Sequence, residues 1–157
     1  MKSTKFSAVA TFLAAVMIAG FQTSSFAAIT GFNKCYNGAD LPTLIGEKSG
    51  SFKTAKIGQK GFLTFGPYVA LQPGNYVAVF AYNSSPKANS NIAAVDWTSA
   101  GKQIKGTSKG VFPSKTGDNT FTTSLRTRVS LPSVEVRIFD TGQATLQIKY
   151  LCIKKIS

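Results

Sequence analysis

The acidic side chains are the first candidates for chemistry in this chain, because it contains no histidine. The usual base of serine and cysteine hydrolases and the commonest metal ligand are therefore missing. Two carboxylates could cleave a glycosidic bond as acid and base, but no pair is marked out by its spacing or by apolar neighbours. We expect no catalytic residue, no metal site and no cofactor. The acids after residue 27 are Asp40, Glu47, Asp96, Asp118, Glu135 and Asp140.

Two aromatic residues are candidates for binding a sugar. Tyr82 and Trp97 lie near the ends of predicted strands, beside polar segments. Sugar recognition needs exposed rings that stack on the pyranose face and polar groups that bond the hydroxyls. The alternative is that these rings pack in the core, which is common for a single tryptophan in a small domain.

Basic residues on the last three predicted strands form a second candidate surface. If those strands are neighbours, their polar positions share one face with Glu135. Arginine bonds sulfate, phosphate and carboxylate groups in a bidentate manner, so this face would suit an anionic polymer. A solvated polar face without a ligand is the alternative. The residues are Arg126, Arg128, Arg137, Gln147 and Lys149.

The first 27 residues have the pattern of a secretory signal peptide. A basic start with Lys2 and Lys5 is followed by an apolar run over residues 6–21, and Ser25 and Ala27 are small residues suited to cleavage after Ala27. No second long apolar run follows, so we expect no transmembrane segment. The sequence predicts one domain over residues 28–157, located outside the cell or in a periplasm.

The predicted mature chain is strongly basic. Of the 18 basic residues only Lys2 and Lys5 precede residue 28, which leaves 16 against 6 acids and a net charge of +10. This charge favours anionic surfaces in a salt-dependent way. The alternative is that it serves solubility alone.

Two cysteines, Cys35 and Cys152, stand near opposite ends of the predicted domain. Because export places them in an oxidising compartment, we expect a disulfide that joins the first and last strands. Two sulfur atoms without histidine would be a poor zinc site.

The apolar residues recur with a period of two, which predicts strands with one buried face. In the last strand Ala144, Leu146, Ile148, Tyr150 and Cys152 alternate with residues that are polar except for Leu151, so we expect these five side chains to point inward. A strand over residues 134–138 precedes it, and the turn sequence at residues 140–142 predicts a hairpin between the two.

Further strands are expected over residues 61–71, 76–82, 92–98 and 121–129. Residues 83–91 and 113–119 are rich in Ser, Asn, Lys, Gly and Pro without periodicity, which predicts loops. Both faces of residues 76–82 are apolar or aromatic, which indicates a central strand or one whose outer face meets a ligand. About seven short strands without a helix predict an antiparallel β-sandwich of jelly-roll type.

Residues 61–76 contain Gly66-Pro67-Tyr68, further apolar residues and the turn Pro73-Gly74-Asn75-Tyr76. This segment resembles carbohydrate-binding-like β-sandwich domains, including those attached to some bacterial glycosyltransferases. The resemblance covers roughly 20 residues and implies a jelly-roll hairpin in which Pro67 and Gly74 shape turns and the rings of Tyr68 and Tyr76 are buried. It transfers no binding residue.

These observations predict an exported, non-catalytic binding module for a glycan or an anionic surface polymer. The alternative is a secreted structural or interaction protein that binds a protein partner or an anionic membrane through its basic face. We do not expect nucleic acid as the partner, because the basic residues are scattered rather than interleaved with aromatics along one groove.

Overall fold

The computed structural model describes residues 32–85 and 90–157, so the predicted signal peptide lies outside the described residues. The described residues form strands, joined by turns and by one 3-10 turn at Gly38–Asp40. The strands are β1 (Asn33–Asn37), β2 (Glu47–Ser49), β3 (Phe52–Ala55), β4 (Gly61–Thr64), β5 (Pro67–Leu71), β6 (Gly74–Ser84), β7 (Ala93–Ser99), β8 (Lys102–Gln103), β9 (Lys109–Val111), β10 (Gly117–Thr127), β11 (Leu131–Asp140) and β12 (Leu146–Lys155). No helix in the described part of the chain has the length and apolar character that crossing a bilayer requires.

The strands form two antiparallel sheets. The first has the order β10-β6-β12-β3-β2, with β1 also paired to β12. In the second, β11 lies between β7 on one side and β4 and β5 on the other, and β8 and β9 pair with β7. From β3 onward the chain passes repeatedly between the two sheets: β3, β6, β10 and β12 belong to the first, and β4 and β5, β7 to β9, and β11 belong to the second. Such repeated crossing is the jelly-roll arrangement. The predicted all-β, jelly-roll sandwich is thus confirmed.

The core lies between the sheets and is built by the period-two pattern. On β6 the side chains of Tyr76, Ala78 and Phe80 point inward and are at most 1% exposed. From the opposite sheet, Val136 and Ile138 of β11 are fully buried against them. The inward rows of both sheets exclude water, and this burial is the main contribution that stabilises such a sandwich.

The predicted hairpin at residues 140–142 is wrong. β11 belongs to the second sheet and β12 to the first, so the turn crosses between the sheets instead of joining paired neighbours. The apolar alternation of both strands is satisfied equally by two facing sheets, so it could not distinguish the two arrangements.

Two strands extend into segments that were predicted as loops. β6 and β10 are paired along their whole length, from Gly74 opposite Thr127 at one end to Ser84 opposite Gly117 at the other.

A β-bulge changes the facing of the last strand. The register of β12 against β6 shifts between Ile148 and Tyr150. Leu151 and Ile153 are consequently the buried residues after Ile148, while Tyr150 is 40% exposed. Such a bulge adds one residue to a strand and reverses the alternation beyond it, so the prediction that Tyr150 and Cys152 point inward is wrong.

The predicted disulfide between Cys35 and Cys152 is confirmed. The two cysteines are directly opposite on β1 and β12, with their Cα atoms 4.0 Å apart. The bond lies on the outer face of the first sheet, with Cys35 exposed and Cys152 half-buried. It ties the N-terminal described strand to the C-terminal strand across a sequence separation of 117 residues.

Candidate functional site

The two aromatic residues predicted to bind sugar lie in the core. Trp97 is fully buried and Tyr82 is 2% exposed. Trp97 faces inward from β7 opposite Val136, and its indole N–H donates a 3.4 Å hydrogen bond to the Thr123 hydroxyl. Neither ring offers a free face for a sugar, so the expectation that these two rings are exposed is wrong. Both residues occupy strand positions whose side chains point to the inner face of their sheet. This is the core packing that the sequence allowed as the alternative.

The predicted basic face is divided between the two sheets. Arg126 on β10 and Lys149 on β12 belong to the first sheet, whereas Arg137 on β11 belongs to the second. Arg128 follows β10 and is exposed. The last three long strands are not neighbours, because β6 separates β10 from β12 and β11 lies across the core. The prediction of one shared face is therefore wrong.

Arg126 and Lys149 are also far apart within the first sheet. Arg126 is opposite Asn75 of β6, whereas Lys149 lies in the bulge beside Ala81 and Tyr82 of β6. The six to seven residues of strand between these positions correspond to roughly 20–23 Å. One ligand group cannot contact both side chains.

Arg137 has a structural environment on the second sheet. Its guanidinium donates two hydrogen bonds, of 2.9 and 2.6 Å, to the Asp96 carboxylate and stacks 4.8 Å from the centre of the Phe62 ring. Asp96 also accepts a hydrogen bond from Gln103. The hydrogen bonds to Asp96 raise the pKa of Arg137. Asp96 therefore occupies the edge of the guanidinium formed by Nε and one terminal nitrogen, so Arg137 does not offer that edge to an anionic ligand.

A groove beside the disulfide, which we call the tyrosine groove, is lined by exposed aromatic rings. It has a volume of about 480 Å³ and lies where β1 and β12 of the first sheet meet β5 of the second. Tyr68 is 49% exposed and Tyr150 is 40% exposed. The lining residues are Cys35, Tyr36, Asn37, Asp40, Leu41, Pro42, Pro67, Tyr68 and Tyr150.

Tyr68 stands at the second position of β5 with a backbone φ of 61°. Left-handed backbone is costly for a residue with a side chain, and such positions concentrate at functional sites. Burial and the nearby Glu135 carboxylate raise the pKa of the Tyr68 phenol above its ordinary value. The resemblance implied that this ring is buried, and that implication is wrong, whereas Tyr76 is buried as implied.

A second cavity of about 480 Å³, which we call the lysine pocket, adjoins the first at Tyr150. Within it Lys149 Nζ lies 2.7 Å from Asp118 Oδ1, which also accepts a hydrogen bond from the Asn83 amide. The Lys149 contact lowers the pKa of Asp118. The lining residues are Ala81, Tyr82, Ser114, Lys115, Asp118, Asn119, Thr120, Lys149 and Tyr150.

Sequence reasoning named Lys149 but missed Tyr68 and Tyr150. Tyr150 was assigned to the core because the alternating pattern continues through the bulge, so the sequence does not show where the side chains change faces. Tyr68 lay within the segment that resembled carbohydrate-binding-like domains, and the Gly-Pro-Tyr sequence was the available signal for it. Over residues 32–85 and 90–157 no group of three or more metal-ligating side chains is present.

Comparison with known proteins does not identify a family. No protein family and no curated protein matches the chain by sequence. Among solved structures, dimeric latent PorU from Porphyromonas gingivalis matches with 10% identity and a TM-score of 0.44, over 85% of this chain and 13% of that protein. The Stig cyclase FisC from Fischerella sp. TAU, in complex with (3Z)-3-(1-methyl-2-pyrrolidinylidene)-3H-indole, matches with 10% identity and a TM-score of 0.45, over 88% of this chain and 82% of that protein.

The chain spans only a small part of PorU and most of the length of FisC. At these TM-scores neither likeness supports a conclusion about what this chain binds or catalyses.

Proposed function

We propose that this protein is an exported, non-catalytic module that binds a glycan in the tyrosine groove. The observation that carries the proposal is the pair of half-exposed rings, Tyr68 and Tyr150, which reach one groove from different sheets. The short likeness of residues 61–76 to carbohydrate-binding-like domains points in the same direction.

The chemistry of the groove suits a sugar. An aromatic ring packs against the apolar C–H face of a pyranose, and nearby polar groups bond its hydroxyls. Asn37 and Asp40 line the groove and share a 3.2 Å hydrogen bond between the Asn37 amide and the Asp40 carboxylate. The other Asp40 carboxylate oxygen lies 3.6 Å from Lys48 Nζ, and both Asn37 and Asp40 are exposed, so their side chains remain accessible to a ligand. The volume of about 480 Å³ is within the usual range for small-molecule sites.

The alternative of a protein or anionic membrane partner on one basic face has less support. That face required Arg126, Arg137 and Lys149 to lie together, and they occupy two sheets and opposite ends of one of them. Salt dependence separates the two functions, because high salt screens charge attraction whereas ring stacking on a sugar persists.

A glycan array probed with the purified, disulfide-bonded protein at low and physiological salt tests the proposal. We expect a defined set of glycans to bind at both salt concentrations. Tyr150→Ala should weaken binding roughly tenfold, because it removes a stacking ring. Phe112→Ala is the matched control, since Phe112 is an exposed ring, 59% accessible, that lines neither cavity. No binding to any glycan at either salt concentration, or equal losses for the two variants, would refute the proposal.

A further inference from the structure

The two cavities meet at one side chain. Tyr150 lines both the tyrosine groove and the lysine pocket, so a ligand stacked on its ring has a neighbouring space within reach. The bulge of β12 places Lys149 on the same outer face, directly before Tyr150. A charged group and a stacking ring are therefore presented side by side on a rigid strand.

The lysine pocket has an excess of positive charge. Lys115 and Lys149 line it together with the single acid Asp118. Lys149 is held between the Asp118 carboxylate, at 2.7 Å, and the Phe52 ring, 5.9 Å from Nζ. An ammonium group has three donors, and the Asp118 contact occupies one of them. An incoming anion can accept from those that remain and from Lys115.

The loop that carries Lys115 is fixed by hydrogen bonds. The side-chain amide of Asn119 donates to the carbonyl oxygens of Lys115, at 2.9 Å, and of Gly117, at 2.8 Å. The Ser114 hydroxyl donates to Asn119 Oδ1 at 3.2 Å. Because the loop is already ordered, binding a ligand has a smaller cost in conformational entropy.

We propose that the lysine pocket is an anion subsite of the glycan site. It takes a carboxylate or sulfate group on the sugar unit next to the one stacked on Tyr150, so the ligand class is an acidic oligosaccharide. This inference rests on the proposed glycan-binding function and specifies its ligand. Neutral glycans fill the tyrosine groove but bring no anion to Lys115 or to the donors of Lys149 that the Asp118 contact leaves available.

The test compares matched acidic and neutral ligands. Binding is measured for oligogalacturonate, oligomannuronate and heparin-derived hexasaccharides. The neutral counterparts are the carboxyl-reduced uronates and, for heparin, the compound that has been carboxyl-reduced, desulfated and N-acetylated. We expect at least one acidic compound to bind roughly tenfold more tightly than its neutral counterpart, since a hydrogen bond to a charged group contributes about that factor.

The double substitution Lys115→Ala with Lys149→Gln should abolish this preference and leave the neutral compound's affinity unchanged. Tyr150→Ala should weaken both forms together. Lys105→Ala is the matched control, because Lys105 is exposed and lines neither cavity.

Equal affinity for every acidic and neutral pair, or an acidic preference that survives the double substitution, would overturn the anion subsite and leave glycan binding standing. Absence of binding to all compounds here and on the array would overturn the glycan function and the subsite with it.

Discussion

Lys149 and Tyr150 are consecutive residues that both project from the outer face of β12. Regular strand geometry would send one of them into the core, but the register shift between Ile148 and Tyr150 keeps both outside. Bulges re-aim side chains in this way and are frequent beside binding sites. The bulge is thus the local feature that joins the tyrosine groove to the lysine pocket.

Tyr68→Gly separates binding from stability. Glycine adopts the φ of 61° found at this position without steric cost, so the gain in backbone energy offsets the lost ring contacts. We expect a free energy of unfolding within about 1 kcal/mol of the wild-type value, and glycan binding weakened roughly tenfold. Urea denaturation and calorimetric titration measure the two quantities. A variant that binds as the wild type does would exclude Tyr68 from the site.

Trp97→Ala should destabilise the protein. The indole is fully buried and bonded to Thr123, so its removal leaves a cavity and costs about 3–5 kcal/mol. Chemical denaturation monitored by circular dichroism gives the change. Phe112→Ala serves again as the control and should alter stability by less than about 1 kcal/mol, because its ring is exposed. A Trp97 variant of unchanged stability would contradict the burial of this side chain.

Removal of the disulfide should affect both stability and the tyrosine groove. The bond closes a loop with a sequence separation of 117 residues, for which chain entropy gives about 4–5 kcal/mol. β1 pairs with β12 along one edge of the first sheet and carries Tyr36 and Asn37 of the groove wall. We expect Cys35→Ala combined with Cys152→Ala to lose this stability and to bind glycan more weakly.

Denaturation curves and titrations of the oxidised protein, the reduced protein and the double variant provide the comparison. Unaltered glycan affinity in a folded double variant would show that β1 keeps its position without the covalent bond.

Asp140 should make stability fall as pH rises through the mildly acidic range. Burial raises its pKa from 3.8 to about 6, although the Gly142 amide donates to it. The native protein therefore retains a proton that the unfolded chain has released. The resulting stabilisation is complete below the unfolded pKa of 3.8, is lost by about pH 6, and amounts to about 3 kcal/mol.

Asp140→Asn keeps an acceptor for the Gly142 amide but carries no charge. We expect its stability to vary little between about pH 4 and pH 7, and to exceed that of the wild type at the upper end. Asp118→Asn is the comparison variant: its carboxylate is exposed with a lowered pKa, so the slope across this range should remain. Equal slopes in wild type and Asp140→Asn would contradict the burial of the acid.

The fold class and the disulfide could be predicted because their signals are local or follow from composition. The alternation around Val134, Val136 and Ile138 reports one buried face wherever the strand lies. Two cysteines in a chain with a predicted export signal leave one pairing. The resemblance of residues 61–76 implied that Tyr76 is buried, and the ring lies in the core.

The candidate site depended on interactions between distant parts of the chain. Alternation does not say which sheet a strand joins, so β11 and β12 were paired when they face each other across the core. A one-residue bulge reverses every later side chain without changing the residue pattern. Only the tertiary structure therefore decided that Trp97 is enclosed and that Tyr68 and Tyr150 share a groove, because both depend on packing between two sheets.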